Sequence, residues 1–297
     1  MYTIVHNMSY VFVNKFSFLI VWLLILSLEG SDAFACSLWA AIGDRSKDGG
    51  ALIGMTWDAP QGLKGELRLV IPKKGSRYLG LFPRRSRNSN NVVTGINELG
   101  LVVSAASADS ISFRKRLSGS GNLIKTILTS FATVDAFLTN KRLISQAQPA
   151  LLIVADCAKI ALVQIGTRGK YIVAVRENGL LYQTNHYTHQ SLLKENELYI
   201  ENSILRLNRL QYLLAVHPGP FSIEDFLAIA DDKGNGPDNS IWRVGSLEKK
   251  EKTLARWVVY LSKNSPPELY FKILNPGVNE LNYEIKLDRA FWTEGTE

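Results

Sequence analysis

The chain reads AFACSLWAAIG over residues 33–43, and this stretch joins an apolar leader to the first predicted strand. The leader is a run over residues 16–28 that carries no charge and is apolar except for two serines, with one lysine before it. A basic residue, a short apolar run and a small-x-small tripeptide together indicate a secretory signal. Residues 1–35 are therefore predicted to be a signal peptide, and the mature chain is predicted to begin at Cys36.

A mature chain that begins at Cys36 carries a thiol and a free α-amine on the same Cα. The unperturbed amine has a pKa of about 7.7–8.0, so it is partly neutral at physiological pH and can accept the thiol proton directly or through one water. A nucleophile with an N-terminal amine as its base can catalyse acyl transfer without a histidine. This junction is the strongest functional signal in the sequence.

The composition of residues 36–297 fits a globular domain with a full core. The hydrophobic fraction is 46% over the 297 residues, which is ordinary for a folded protein. The whole chain has a net charge of +7, and residues 1–35 hold one basic and two acidic side chains, so the mature part carries +8. The sequence contains no linker that divides it, and the prediction is one catalytic domain over residues 36–297.

A basic stretch raises the question of nucleic acid, but it lies in a Gly/Pro/Ser-rich segment without interleaved aromatic residues. A solvated loop or the rim of a site for an acidic ligand fits it better, and no nucleic-acid partner is predicted. The stretch consists of Lys73, Lys74, Arg77, Arg84, Arg85 and Arg87.

The apolar leader and the cysteines bear on where the protein works. The leader has 13 residues, against about 20 needed to span a bilayer. We therefore expect no stable membrane span after cleavage, and a periplasmic or extracellular location. The two cysteines, Cys36 and Cys157, leave a disulfide open as an alternative. Cys157 follows a predicted strand and is interpreted as a thiol without a role.

Short apolar runs separated by turn residues predict strands in both halves of the chain, with helices between them. The predicted strands are Cys36–Gly43, Ala51–Trp57, Glu66–Ile71, Arg77–Phe82, Val92–Ile96, Leu101–Ala106, Leu151–Ala155, Ile160–Ile165, Tyr171–Val175, Leu180–Gln183, Thr253–Leu261, Glu268–Ile273 and Asn282–Leu287. The predicted helices are Leu123–Phe131, Val134–Leu143, Asn196–Val216 and Ser222–Ala230. Because hairpins join most of the strands, the pattern predicts a layered α+β architecture.

Two sets of polar residues suggest a metal at first sight. The loop over residues 231–236 is similar to a calcium loop, but Lys233 stands where an acid or amide should coordinate and Trp242 replaces the terminal glutamate. His186 and His189 lack an assembled third ligand. No metal and no cofactor are predicted.

Four motifs occur in an order that resembles a known family. They are Cys36-Ser37-Leu38-Trp39-Ala40-Ala41, Gly49-Gly50-Ala51-Leu52-Ile53-Gly54 followed by Asp58, Gly95-Ile96-Asn97-Glu98-Leu99-Gly100-Leu101, and Thr184-Asn185-His186. Together they resemble the N-terminal-nucleophile hydrolases, in the branch of isopenicillin N acyltransferase, penicillin V acylase and bile salt (choloylglycine) hydrolase. The resemblance covers nearly all of the mature chain, and it implies a four-layer αββα sandwich.

The resemblance also implies roles for four residues. The thiol of Cys36 would attack the carbonyl of a linear amide, and its α-amine would act as base and then protonate the leaving amine. Asp58 would position the N-terminal amine and thiol. Asn185 would contribute its side-chain amide to the oxyanion hole. Arg243 would place a cation near the thiol, which favours the thiolate. Arg206 and Arg209, on the predicted long helix, are alternatives for a buried cation.

This chain departs from the family pattern at two places. Members usually carry a basic residue just before the acid, whereas Met55-Thr56-Trp57 precedes Asp58 here. Bile salt hydrolases place an asparagine after the hairpin as a second oxyanion donor, and Ser107 occupies that place. These differences argue against transferring the bile-salt or penicillin specificity to this chain.

The expected function is that of an exported cysteine amidohydrolase or acyltransferase. It would act on a small N-acyl amide, require no cofactor and depend on signal peptidase for maturation. Two alternatives remain: a binding protein lipidated at Cys36, although Ala33 stands where a lipobox prefers leucine, or a catalytically inactive ligand-binding protein of the same fold. The sequence leaves the acyl group, the acceptor and the oligomeric state open.

Overall fold

The computed structural model describes residues 35–60, 62–84, 91–247 and 251–294. The predicted signal peptide lies outside the described residues except for Ala35, as do Arg85 and Arg87 of the basic stretch. The described strands are β1 Cys36–Ile42, β2 Ala51–Ala59, β3 Lys64–Val70, β4 Tyr78–Arg84, β5 Thr94–Asn97, β6 Val102–Ser107, β7 Ala150–Ala155, β8 Ile160–Ile165, β9 Tyr171–Arg176, β10 Gly179–Gln183, β11 Lys252–Leu261, β12 Glu268–Ile273 and β13 Leu281–Lys286. The α-helices are α1 Phe113–Arg116, α2 Leu123–Ser130, α3 Val134–Thr139, α4 Lys141–Gln146, α5 Glu201–Val216, α6 Ile223–Ala230 and α7 Arg289–Glu294.

The strands form two antiparallel sheets. Sheet I has the order β10-β1-β2-β11-β12-β13, and sheet II has the order β3-β4-β5-β6-β7-β8-β9. In sheet I, β1 lies between β2 and β10, and Cys36 at its start is paired with Trp57. Leu38 is paired with Gln183, so the residues that follow β10 come close to the start of β1. Sheet topology thus brings Asn185 towards Cys36.

Both faces of each sheet are covered, which gives four layers. In β1, Leu38, Ala40 and Ile42 lie in the core between the sheets, whereas Trp39 and Ala41 lie in a second core under α5 and α6. A third core joins the outer face of sheet II to α2, α3 and α4. The alternation follows from the two-residue period of a strand. The order helix, sheet, sheet, helix is the αββα sandwich, and the predicted fold is confirmed.

Gly54 shows how tightly β1 and β2 pack. It is paired with Trp39, and a Cβ atom at position 54 would lie 2.1 Å from the indole ring. The Trp39 ring also contacts Phe226 of α6, with ring centroids 6.0 Å apart. Only glycine leaves room for the indole between sheet I and its helices, which explains why the motif over residues 49–54 ends in glycine.

The helices differ from prediction at their ends. The helix predicted over Val134–Leu143 is two short helices, and Asn140 between them caps the second by accepting a hydrogen bond from the N–H of Leu143 at 3.1 Å. The helix predicted from Asn196 begins at Glu201 instead, after a 3-10 helix over Gln190–Glu195. Ser222 and Asp225 form the capping box that starts α6.

Among the described residues, no helix has the length and apolar character needed to cross a membrane.

Candidate active site

Cys36 is fully buried at the start of β1. Its backbone N–H donates to Oδ1 of Asn185 at 3.0 Å, and its carbonyl accepts from Nη1 of Arg206 at 2.7 Å. Ala35 still precedes Cys36 in this structure, so the nitrogen is a peptide amide. A cut after Ala35 would convert that nitrogen into the α-amine.

Asp58 lies near the end of β2 and is also fully buried. Its backbone N–H donates to the carbonyl of Ala35 at 2.7 Å. Its Oδ1 accepts from Oγ1 of Thr253 at 2.5 Å, and its Oδ2 accepts from Nη1 of Arg243 at 3.1 Å. The pairing of β11 with β2 shifts register between Thr253 and Ala255, and this irregularity sets Thr253 opposite Asp58.

Arg243 joins the site through Asp58. Its side chain is 3% exposed, and Nη1 also donates to Oε2 of Glu251 at 2.8 Å. Its backbone N–H donates to Oγ1 of Thr253 at 2.7 Å. The guanidinium is therefore shared between two carboxylates. The sequence predicts Arg243 as a cation near the thiol, whereas the groups that its guanidinium contacts are Asp58 and Glu251.

Asn185 follows β10 and connects Cys36 to the end of β6. Its Nδ2 donates to the carbonyl of Ser107 at 3.1 Å, while Oδ1 accepts from the N–H of Cys36 and from Nη2 of Arg206, each at 3.0 Å. Its backbone N–H donates to Oγ of Ser203 at 2.8 Å. These contacts hold the side-chain amide with Nδ2 towards Ser107 and Oδ1 towards Cys36.

Arg206 of α5 is the residue that the sequence prediction did not include in the site. It is fully buried and donates to the carbonyl of Cys36, to Oγ of Ser37 at 2.9 Å and to Oδ1 of Asn185. Arg209, the other arginine weighed on this helix, forms an ion pair with Asp232 instead. A basic residue between apolar positions of a predicted helix was the available signal, but the sequence did not show which arginine turns inward.

Ser107 and Asp109 complete the surroundings of Cys36 on the side of sheet II. Ser107 Oγ donates to Oδ1 of Asp109 at 2.7 Å, and Arg116 forms an ion pair with the same carboxylate. Asp109 donates its backbone N–H to the carbonyl of Asn185 at 2.9 Å. Ser107 stands where bile salt hydrolases carry an asparagine. Its hydroxyl group donates a hydrogen bond to Asp109.

Burial and nearby charges shift the pKa of two groups in the site, the thiol of Cys36 and the carboxyl group of Asp109. Burial raises the pKa of the Cys36 thiol well above its ordinary value, and the negative charges of Asp58 and Asp109 raise it further. The charge of Arg206 and a backbone hydrogen bond from Asp58 act in the opposite direction. Burial also raises the pKa of Asp109 to about 7, against the lowering effects of Ser107 and Arg116.

A cavity of about 470 Å³ has Ser107 in its lining, whereas Cys36, Asp58, Asn185 and Arg243 do not line it. It lies between the ends of β5, β6 and β7 and the start of α2, and its apolar lining includes Val92, Leu123 and Leu152. Among the described residues that line it, Lys125 alone carries a charge. A space of this size and character suits the uncharged, apolar part of a small molecule.

The other residues considered in the sequence lie outside this hydrogen-bonded cluster or have packing roles. Met55 and Trp57, which replace the expected basic residue, are buried in the core between the sheets. His186 Nδ1 lies 2.8 Å from Oγ of Ser203. Cys36 is buried, Cys157 is exposed, and no disulfide joins them. No group of three or more potential metal ligands occurs within the described part of the chain.

A sequence model of the family described as acyl-coenzyme A:6-aminopenicillanic acid acyl-transferase matches residues 45–273. The chain belongs to this family. Asp58, Asn185 and Arg243 lie within the part that matches the acyl-transferase family, and Cys36 lies just before it. The predicted branch of the N-terminal-nucleophile hydrolases is confirmed.

Solved structures similar to this chain were also found. A mutant of conjugated bile acid hydrolase from Clostridium perfringens aligns with 84% of this chain and 92% of its own, at 18% identity and a TM-score of 0.44. Penicillin V acylase from Agrobacterium tumefaciens aligns with 86% of this chain and 88% of its own, at 16% identity and a TM-score of 0.44. A search of curated proteins gave no significant match.

Proposed function

We propose that this protein is an exported amide hydrolase or acyltransferase whose nucleophile is the N-terminal Cys36. It would cleave a linear, non-peptide C–N bond of a small N-acyl compound through an acyl-enzyme. Membership of an acyl-transferase family supports acyl transfer as the reaction class. The nucleophile, the export and the substrate class are proposals that rest on the sequence and on the arrangement of the site.

One observation carries the proposal. Four residues singled out from the sequence, Cys36, Asp58, Asn185 and Arg243, come from distant segments and meet in one buried, hydrogen-bonded cluster. Buried polar groups of this density are costly unless each is paired, and they concentrate at functional sites. The cluster forms around the junction at which the sequence predicts a cut.

The reaction would proceed in two balanced steps. The α-amine of Cys36 takes the thiol proton while the sulfur forms a bond to the substrate carbonyl carbon. The tetrahedral intermediate then expels the amine, which leaves with that proton, and a thioester remains on Cys36. Water, or the nitrogen of an acceptor amine, attacks the thioester and releases the acyl group. The α-amine again takes up the proton of the attacking group, and the proton returns to the sulfur.

The other residues would hold this centre and stabilise charge. The Nδ2 group of Asn185 carries two hydrogens, so it can donate to an oxyanion while it keeps its bond to Ser107. One such donor is worth about 2.7–4 kcal/mol in the transition state. Asp58, held by Thr253 and Arg243, provides a fixed negative charge that would stabilise the protonated α-amine after it takes the thiol proton.

The cavity beside Ser107 would take the acyl group of the substrate. Because its lining is largely apolar, we expect an uncharged aliphatic or aromatic acyl group rather than a carboxylated or sugar-like one. The amine half would then leave towards solvent.

Purified, exported protein provides the direct test of the proposed nucleophile. Cys36→Ala should abolish hydrolysis of N-acyl amides, because no other described residue can replace the thiol and amine on one Cα. Cys36→Ser should retain the N-terminal amine but react far more slowly, since a hydroxyl is a weaker nucleophile at neutral pH. Cys157→Ala, the matched control at the exposed thiol, should remain fully active.

Three outcomes would count against the proposal. An active Cys36→Ala protein would remove the mechanism. A mature N-terminus that carries a diacylglycerol, seen as hundreds of daltons of added mass, would instead favour a lipidated binding protein. A wild-type protein that starts at an unmodified Cys36 but cleaves no member of an acyl-amide panel would favour an inactive relative.

A further inference from the structure

Arg206 is an unusual residue to find fully buried in the middle of a helix. Along α5 the buried side chains are Ser203, Arg206, Leu210 and Leu214, so the helix turns its polar residues inward at the end nearest Cys36. A buried guanidinium is stable only when partners compensate for lost hydration. The Nε atom of Arg206 has no hydrogen-bond partner among the described residues. The compensation therefore comes from the two terminal nitrogens.

Those two nitrogens contact the reaction centre itself. Nη1 donates to the carbonyl of Cys36 at 2.7 Å and to Oγ of Ser37 at 2.9 Å, and Nη2 donates to Oδ1 of Asn185 at 3.0 Å. A planar fork that donates in fixed directions sets the relative position of its acceptors. Arg206 thereby fixes the backbone of the nucleophile and the amide assigned to the oxyanion hole in one geometry.

The guanidinium of Arg206 also acts on the Cys36 thiol through its charge. Asp58 faces Cys36 from β2, Asp109 faces it from the segment after β6, and Arg206 faces it from α5. The two carboxylates disfavour the thiolate, and Arg206 opposes them. Arg243 engages Asp58 and Glu251, so its charge is already shared by two acids.

We propose that Arg206 is a positioning residue of the reaction centre, which fixes Cys36 and Asn185 relative to each other and supplies the positive charge that favours the thiolate. The positions before Asp58 supply no such charge, since Met55 and Trp57 belong to the core here. Arg206 stays protonated throughout, and the thiol proton still moves to the α-amine. This inference rests on the proposed role of Cys36 as nucleophile.

The test compares Arg206→Met and Arg206→Lys in exported, processed protein that also carries Cys157→Ala, so that alkylation reports on Cys36 alone. Arg209→Met is the matched control, because it removes the same side chain three residues further along α5 from an ion pair with Asp232. The readouts are kcat, KM and the rate of iodoacetamide alkylation as a function of pH. Circular dichroism and thermal unfolding establish that each variant is folded.

We expect Arg206→Met to lower kcat about a hundredfold, the loss that a misplaced reacting group brings, with a smaller effect on KM. Its alkylation at pH 7 should slow about tenfold, which corresponds to a rise of about one unit in the thiol pKa. Arg206→Lys keeps the charge, so its alkylation should stay within about threefold of wild type, whereas kcat should fall about tenfold because the fork is lost. Arg209→Met should match wild type in every readout.

A folded Arg206→Met protein with the alkylation profile and kcat of Arg209→Met would overturn the inference. If Arg206→Met does not fold, Arg206→Lys decides the matter: full kcat in that variant would contradict a positioning role. The alkylation profile needs no substrate, so it separates the two proposals. A wild type without amidase activity would count against the proposed function, whereas an alkylation profile independent of residue 206 would count against the role of Arg206.

Discussion

At the scale of single residues, Asp109 is the carboxyl group beside Cys36 that titrates near neutral pH. Burial raises its pKa to about 7, although Ser107 and Arg116 act to lower it. The charges that act on it are those of Arg116, Glu251 and Arg206, and Asp109 itself acts on the thiol of Cys36. An acid whose pKa is raised by folding binds its proton more tightly in the native state than in the unfolded chain.

The raised pKa of Asp109 makes the stability of the fold depend on pH. Between about pH 4, where the unfolded carboxyl loses its proton, and about pH 7, where the folded one does, the native state binds more protons. Stability contributed by Asp109 therefore falls as pH rises through this window, by at most about 1.4 kcal/mol per pH unit, and levels off above it. Asp109→Asn should remove this slope, because the amide has no proton to lose.

Urea unfolding at pH 4.5, 6, 7 and 8 measures the difference between wild type and Asp109→Asn. Asp135→Asn is the control, because that carboxylate is exposed and pairs with Lys159 on the surface. A wild-type stability curve that runs parallel to that of Asp109→Asn across the window would contradict the assignment.

The acyl cavity yields a second prediction at residue scale. Ala150 of β7 is paired with Ser107 and lines the cavity beside it. Ala150→Phe should fill this end, so that kcat/KM for bulky acyl amides falls at least tenfold, about 1.4 kcal/mol, whereas that for an acetyl amide changes little. Ala158→Phe places the same side chain at an exposed position. It should leave the ratio of kcat/KM for bulky acyl amides to kcat/KM for an acetyl amide unchanged. An equal loss for large and small acyl groups in Ala150→Phe would mean that the cavity does not hold the acyl group.

At the scale of elements, the contact between β1, β2 and α6 depends on Gly54. Any side chain there would collide with Trp39, so Gly54→Ala should destabilise the fold by about 1–3 kcal/mol through overpacking. Gly219→Ala is the matched control, since a Cβ atom at that position would meet nothing within 4 Å. Urea unfolding of both variants is the measurement, and equal stabilities would show that Trp39 moves aside at little cost.

The secondary-structure elements also show how much of the fold can be predicted from the sequence alone. Apolar alternation and turn residues predicted every strand to within a few residues, because a strand buried on both faces leaves a strong local pattern. The helix α5 shows the limit. Ile204 and Leu207 belong to the apolar spacing of this helix, but Ser203 and Arg206 are buried more deeply than either of them. Hydrogen bonds to Cys36 and Asn185 decide that rotation, and they depend on residues far away in the chain.

At the scale of the whole molecule, the centre exists only when the entire domain is folded. Cys36 and Asn185 are 149 residues apart in sequence, and Asp58 and Arg243 are 185 apart. The family resemblance could name these four residues because their motifs are local. The sequence offered Arg206 only as an alternative to Arg243, together with Arg209, and did not point to Asp109, since both contribute through tertiary contacts that no local motif records.

The proposed maturation would couple the folding of the whole domain to Cys36. The junction is shielded in the folded state, because Ala35 is 4% exposed and its carbonyl accepts the N–H of Asp58. If a peptidase cuts after Ala35, as proposed, it therefore has to act before folding is complete. A folded chain that keeps its leader would have no α-amine at Cys36, and an absent general base costs about 10²–10⁴ in rate.

Ala33→Arg tests this coupling, because a large charged residue in the small-x-small tripeptide should block the cut without touching the catalytic domain. We expect unprocessed protein to accumulate, with activity per mole proportional to the fraction of chains that begin at Cys36. Intact mass and N-terminal sequencing give that fraction, and Asp32→Asn, just outside the tripeptide, is the control. Full activity in the unprocessed chain would refute the α-amine as base. A purified precursor that shortens itself to Cys36 in buffer alone would instead replace signal peptidase with self-cleavage, and would leave the reaction centre as proposed.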